Sequence, residues 1–170
     1  MLTLLIGGSG SGKSAFAEQL IQKLPGERVY IATMEPFDAE CRARIQRHRE
    51  QRRHLGFETV ECYVNLSAAP IPHGANVLLE DLSNLLANEL YSPQGGGTDA
   101  VRRGVETLEA RCGNLTIVSN EIFSGGSDYA GETLRFMKAL ADLNREIARR
   151  ADCVVEMVCG LPNVLKGELP

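Results

Sequence analysis

The sequence has no tryptophan, four tyrosines and five phenylalanines in 170 residues, so its core must be built mainly from aliphatic side chains. It also lacks any Cys-x-x-Cys pair. The five cysteines, Cys41, Cys62, Cys112, Cys153 and Cys159, are scattered and odd in number. That argues against a disulfide framework and reads as reduced thiols, buried as small hydrophobes, in a cytoplasmic protein. No apolar run reaches membrane-spanning length, and a strand expected from Leu2 leaves no room for a leader segment. Positive charge is not in surplus: a net charge of −4 argues against wholesale nucleic-acid binding. There is no internal repeat and no low-complexity tract. With 44% hydrophobic and 24% charged residues, the chain reads as a folded protein and is expected to form one domain over residues 1–170.

What is present centres on one stretch. Gly7-Gly8-Ser9-Gly10-Ser11-Gly12-Lys13-Ser14 follows the apolar run Leu2–Ile6 and opens a helical pattern, the context a phosphate loop G-x-x-x-x-G-K-S/T requires. The glycines let several backbone N–H groups converge on one anion, and the following helix adds its positive end. Lys13 is expected against the β- and γ-phosphates and the Ser14 hydroxyl on Mg²⁺.

Helical spacing predicts a helix over 14–24, stopped by Pro25-Gly26, and a buried strand at Val29–Ala32. Asp38 is the expected N-cap of a helix over 39–53. That helix holds six of the 18 basic residues, Arg42, Arg44, Arg47, Arg49, Arg52 and Arg53, with His48 and His54 beside them. At ~100° per residue, Arg44, His48 and Arg52 share a face. The commonest reading of such a run is a solvated charged face, although the spacing places a histidine within a row of guanidinium groups.

A strand over 58–62 and a loop over 68–74 come next. Val77-Leu78-Leu79 then delivers Glu80-Asp81 at a strand tip, where a phosphate-loop enzyme places an acid for Mg²⁺ or a substrate hydroxyl. A helix is expected over 83–91, followed by the glycine-rich loop or lid 92–97. Thr98-Asp99 should cap a helix to about Arg111, and a strand over 115–119 should present Asn120-Glu121. Ser127 or Asp128 is the expected cap of a long helix over 129–150, buried along Leu134, Met137, Leu140, Asn144 and Ile147. Residues 153–158 form the closing strand, after which Gly160-Leu161-Pro162 turns the chain outward. Strands alternating with helices behind a phosphate loop define the expected fold class: α/β, P-loop NTPase-type (RecA-like), a mostly parallel sheet with helices on both faces. Lys13, Glu80 and Glu121 should share one rim.

The pieces together resemble the bifunctional adenosylcobinamide kinase and adenosylcobinamide-phosphate guanylyltransferase family of cobalamin synthesis, over nearly the whole chain. They are the phosphate loop, Tyr30-Ile31-Ala32-Thr33, Arg44-Ile45-x-x-His48-Arg49 with Arg52, Phe57-x-Thr59-x-Glu61, Leu79-Glu80-Asp81-Leu82-Ser83 with Asn88, Val118-Ser119-Asn120-Glu121, and Gly160-Leu161-Pro162. The resemblance implies a nucleotide site that uses ATP or GTP with Mg²⁺ to phosphorylate the aminopropanol hydroxyl of a corrinoid. It also implies transfer of GMP from GTP through a histidine phosphoramidate, which by position is His48. Lys13 and Glu80 join His48 as catalytic candidates. Arg44, Arg47, Arg52 and Glu61 join residues 7–14 as nucleotide contacts, and Asn120 and Glu121 are substrate contacts. Ser14 with Glu80 or Asp81 forms the metal set. A homo-oligomer, a trimer by resemblance, is implied too.

This sequence departs from the family's usual pattern in two places. The family usually reads Asn-Glu-Val-Gly and then a Gly-Ile-Val-Pro turn, whereas this chain has Asn120-Glu121-Ile122-Phe123-Ser124-Gly125-Gly126-Ser127-Asp128. The family usually has Asp-Cys where this chain has Glu80-Asp81. The competing functions are a phosphate-loop kinase of changed acceptor without guanylyl transfer, and a nucleotide-gated nucleic-acid-binding module. The acidic net charge and the few aromatics near the arginines disfavour the module.

Overall fold

The structure is a computed structural model describing residues 1–36, 39–123 and 129–170, and the side chains at 40, 41, 44, 48, 49, 51 and 52 fall outside that description. Six parallel strands and one antiparallel strand form a sheet in the order β3-β2-β4-β5-β1-β6-β7. The strands are β1 (Leu2–Gly7), β2 (Arg28–Ala32), β3 (Glu58–Glu61), β4 (Asn76–Glu80), β5 (Asn114–Asn120), β6 (Cys153–Val158) and β7 (Leu161–Lys166). The helices are α1 (Lys13–Gln22), α2 (Ala39–Arg52), α3 (Leu82–Tyr91), α4 (Gly97–Arg111) and α5 (Gly131–Arg150). The expected α/β class is found, with β5 inserted between the phosphate-loop strand β1 and the acid-bearing strand β4.

Strand alternation divides the core between the two faces of the sheet. Leu2, Leu4, Val77, Leu79, Leu115 and Ile117 face one side, where they are sealed by α3, α4 and α5 through Leu85, Leu86, Val105, Leu108, Leu140 and Ile147. Leu5, Leu78, Val118 and Val155 face the other and meet Ala17, Leu20 and Ile21 of α1. Both layers are mainly aliphatic, with Tyr30 buried on the α1 side and in edge contact with Phe57. In register, Gly7 lies beside Asn120 on β5 and Met157 on β6, while Ala32 lies between Glu61 on β3 and Glu80 on β4. The polar strand tips therefore collect on one rim.

Several local expectations are corrected. The α4 N-cap is Gly96, and Thr98 and Asp99 lie inside the first turn. Gly96 N–H is instead satisfied by the buried Glu89 carboxylate at 2.6 Å, which also accepts from Asn65 N–H at 2.6 Å. The 92–97 segment is accordingly tied down, not a free lid, and a Cβ at Gly95 would run into the Glu89 carbonyl. Helix α5 starts at Gly131 and leaves Leu134 exposed. The caps expected at Asp38, Ser127 and Asp128 lie outside the described residues.

The sequence gives no sign of β7. It pairs antiparallel with β6 through a two-residue turn at Cys159 (φ 51°) and Gly160 (φ 80°), the left-handed pair that tight hairpins use. Because β7 is an edge strand exposed on both faces, its residues show no apolar alternation, and Pro162 is tolerated there.

Candidate active site

β1 ends at Gly7, and the loop turns through Gly10 and Gly12, whose φ of 92° closes the approach to α1. A Cβ at Gly12 would lie 3.3 Å from Gly160 Cα, and Gly160 N–H donates to the Ser11 carbonyl at 3.0 Å. The β6–β7 turn therefore rests on the phosphate loop. Lys13 is buried, and its Nζ donates to the Gly7 and Gly8 carbonyls at 2.9 and 2.7 Å. Burial lowers its pKa, while the Glu80 and Asp81 carboxylates pull it back up.

Glu80 and Asp81 are neighbours in sequence with different tasks. The Ser14 hydroxyl donates to Glu80 Oε1 at 2.6 Å, while Glu80 Oε2 is buried with no hydrogen-bond partner among the described residues. Burial pushes the Glu80 carboxyl up to about 7; the Ser14 hydrogen bond opposes this. Asp81 caps α3 instead, accepting from Asn84 N–H at 2.7 Å on Oδ1 and from Asn84 Nδ2 at 3.2 Å on Oδ2. Its carboxyl is also raised by burial, against the hydrogen bond from Asn84.

The other candidates divide by position. Asn120 sits at the β5 tip, held to Ser83 Oγ through its N–H at 3.2 Å and its Nδ2 at 3.1 Å. Glu121 N–H donates to Gly7 O at 2.9 Å, and its carboxylate accepts from Phe123 N–H at 2.8 Å. Glu121 and Gly7–Ser11 line a cavity of about 360 Å³ with the end of β6. Lys13, Ser14, Glu80, Asp81, Asn120 and Glu121 are thus brought together. Glu61 is not among them: it is exposed at the tip of edge strand β3, two strands from Glu80, and accepts from the Tyr63 hydroxyl at 2.9 Å. Arg47 is exposed on α2, while the side chains of Arg44, His48 and Arg52 lie outside the described residues.

Two residues to which sequence reasoning gave no role hold the rim together. Thr33, just past β2, bonds to the backbone of Glu80 and Asp81, and Asn88 on α3 donates to the Thr33 and Tyr63 carbonyls at 2.8 and 3.0 Å. Beside Asn88, a groove of about 320 Å³ is lined by Glu35, Ala87, Tyr91, Ser92 and Pro93.

Comparison with known proteins adds identity to this geometry. A family model described as cobinamide kinase / cobinamide phosphate guanyltransferase matches residues 3–165. The bifunctional adenosylcobalamin biosynthesis protein CobP of Pseudomonas aeruginosa is 33% identical over 172 residues, covering 99% of both chains. The corresponding CobU protein of Salmonella typhimurium is 30% identical over 179 residues, covering 95% of this chain and 97% of that one. Among solved structures, the PH0250 protein of Pyrococcus horikoshii OT3 shares the fold at a TM-score of 0.55 and 9% identity, over 98% of this chain and 86% of that one.

Proposed function

This chain belongs to the cobinamide kinase / cobinamide phosphate guanyltransferase family, and from that premise we propose that it phosphorylates the aminopropanol hydroxyl of adenosylcobinamide with ATP or GTP. It then transfers GMP from GTP to that phosphate, giving adenosylcobinamide-GDP. One observation supports the phosphoryl-transfer half above all. The Ser14 hydroxyl and the Glu80 carboxylate meet beside a glycine-rich loop whose lysine is held on the loop's own carbonyls.

In this reading, Lys13 leaves the Gly7 and Gly8 carbonyls and turns to the phosphates, while the loop N–H groups and the α1 N-terminus hold them in line for attack. The residues also suit Mg²⁺: Ser14 Oγ and the unpartnered Glu80 Oε2 are hard oxygen donors, and Asp81 is already occupied as a cap. When bound, the ion supplies charge neutralisation on the β- and γ-phosphates. Asn120 and Glu121, on the same rim, are the proposed substrate contacts.

The guanylyl-transfer half rests on family membership and on the helical spacing of Arg44, His48 and Arg52 in the sequence. The unprotonated His48 nitrogen attacks the α-phosphorus of GTP, the bond to the β-phosphate oxygen breaks, and pyrophosphate leaves with its electron pair. A phosphate oxygen of the corrinoid then attacks the phosphorus of the bound GMP, the new O–P bond forms as the N–P bond breaks, and the His48 imidazole leaves with the electron pair. Arg44, Arg47 and Arg52 stabilise the charge on the phosphates. Glu61 is a further proposed nucleotide contact from the β3 tip.

Incubating the protein with adenosylcobinamide, ATP and GTP, and following both products by mass spectrometry, tests this reading. Both the phosphorylated corrinoid and the GDP adduct are expected. The altered 123–128 stretch favours, as a second reading, a kinase of changed acceptor; phosphorylation of another alcohol without GMP transfer would establish it.

A further inference from the structure

The β2–β4 ladder runs from Arg28 beside Asn76 to Ala32 beside Glu80. The next residue, Thr33, is fully buried. Its hydroxyl donates within the pair of Glu80 and Asp81 carbonyls, 3.0 and 2.9 Å away, and accepts from Asp81 N–H at 2.8 Å. Its own N–H donates to the Glu80 carbonyl at 3.1 Å. A hydroxyl offers one hydrogen and two lone pairs, and most of that capacity is engaged here on two consecutive residues of another strand. Those residues must send their carboxylates in different directions, Glu80 to Ser14 and Asp81 back onto Asn84. The pairing of β2 with β4 is complete without the hydroxyl, so its action lies past the end of the ladder, where the strand's hydrogen bonds no longer fix the backbone.

We propose that Thr33 is a positioning residue for phosphoryl transfer: its hydroxyl fixes the Glu80–Asp81 segment so that the Glu80 carboxylate meets Ser14 at the phosphate loop. The proposal rests on the reading of Glu80 given above. Thr33→Val keeps the shape and removes the hydroxyl, leaving Asp81 N–H without its acceptor and the segment free to shift. A displacement of about 1 Å at such a group costs up to about a hundredfold in rate. The phosphate loop itself is untouched.

The experiment compares Thr33→Val, Thr33→Ser and Asn76→Ala with the wild-type protein. Asn76 is buried at the opposite end of β4 and donates to the Pro25 and Glu27 carbonyls, so its loss perturbs the same strand away from the site. Thr33→Val should lower kcat for corrinoid phosphorylation about tenfold or more with the nucleotide KM within about twofold. Thr33→Ser should restore it, and Asn76→Ala should keep kcat within about twofold of wild type. Calorimetric titration with GTP, in Mg²⁺ and in EDTA, gives a second readout. Thr33→Val should bind GTP like wild type in EDTA but lose most of the gain that Mg²⁺ brings. Thr33→Ala serves the same comparison should the valine variant not fold. An unchanged kcat and Mg²⁺ gain in Thr33→Val, a serine variant that does not recover, or an equal loss in Asn76→Ala would overturn the proposal. If the wild-type protein phosphorylates no corrinoid, the functional reading fails, and the titration still decides the role of Thr33.

Discussion

Ser14 and Glu80, 66 positions apart in the chain, are joined by a hydrogen bond of 2.6 Å in which the serine hydroxyl donates to Oε1. The contact reaches from the start of α1 to the tip of β4, past the intervening strand β5. Glu80 Oε1 is thereby committed to the loop, while Oε2 is buried with no hydrogen-bond partner among the described residues.

Glu80→Gln should therefore reduce Mg²⁺-dependent turnover far more than nucleotide binding, because the amide cannot supply the second anionic oxygen. Asp81→Asn should be mild, since asparagine also caps helices well, whereas Asp81→Ala should cost about 1 kcal/mol of stability. Steady-state kinetics and urea unfolding of the three variants check this. A greater loss of turnover in Asp81→Asn than in Glu80→Gln would reverse the assignment.

Lys13→Ala should remove both activities, with kcat/KM lower by at least about a hundredfold in each, because Lys13 is the cation held on the phosphate loop's own carbonyls and both reactions draw on the nucleotide bound there. Retained GMP transfer with lost phosphorylation would indicate a second nucleotide site.

Glu80 also sets a pH dependence of stability in the absence of metal. Its native carboxyl holds a proton up to about pH 7, whereas the unfolded chain releases it near the ordinary 4.5. The native state thus binds more protons between these values, so the stability Glu80 contributes is full below about pH 4.5 and is lost as pH rises through 7. Measured by urea unfolding in EDTA from pH 5 to 8, Glu80→Gln should gain on wild type by up to roughly 3 kcal/mol. A difference that stays flat with pH would contradict the burial argument.

Glu89→Ala should strand the N–H groups of Asn65 and Gly96, both now bonded to a carboxylate that is 2% exposed. Two part-buried donors left unpaired cost about 2 kcal/mol together, or about 6 °C in Tm for a chain of this size. Differential scanning calorimetry reads the shift, and a change of under about 2 °C would mean that water or a neighbour replaces the carboxylate.

The phosphate loop was legible in the sequence because its chemistry needs particular residues at fixed offsets, and the sheet followed from apolar runs spaced by helices. The division of labour between Glu80 and Asp81 was not legible, because it depends on which of two adjacent carboxylates turns toward Ser14. The role of Thr33 was not legible: Tyr30-Ile31-Ala32-Thr33 carries part of the family resemblance, but that its hydroxyl meets another strand's backbone is seen only in the fold. The glycines of 92–97 suggest a free loop, but Gly95 is there because the chain passes against the Glu89 carbonyl. Strand β7 escaped notice because an edge exposed on both faces has no hydrophobic period to read.

The claim that His48 carries GMP is tested most directly by incubating the wild-type protein and His48→Ala with GTP labelled in the α-phosphate, then mapping the label by peptide mass spectrometry. The account predicts an acid-labile, base-stable GMP adduct on His48, absent from His48→Ala, which should still phosphorylate adenosylcobinamide; His54→Ala and His73→Ala should keep both activities. Label on Lys13, or a His48→Ala protein that transfers GMP at the wild-type rate, would contradict it.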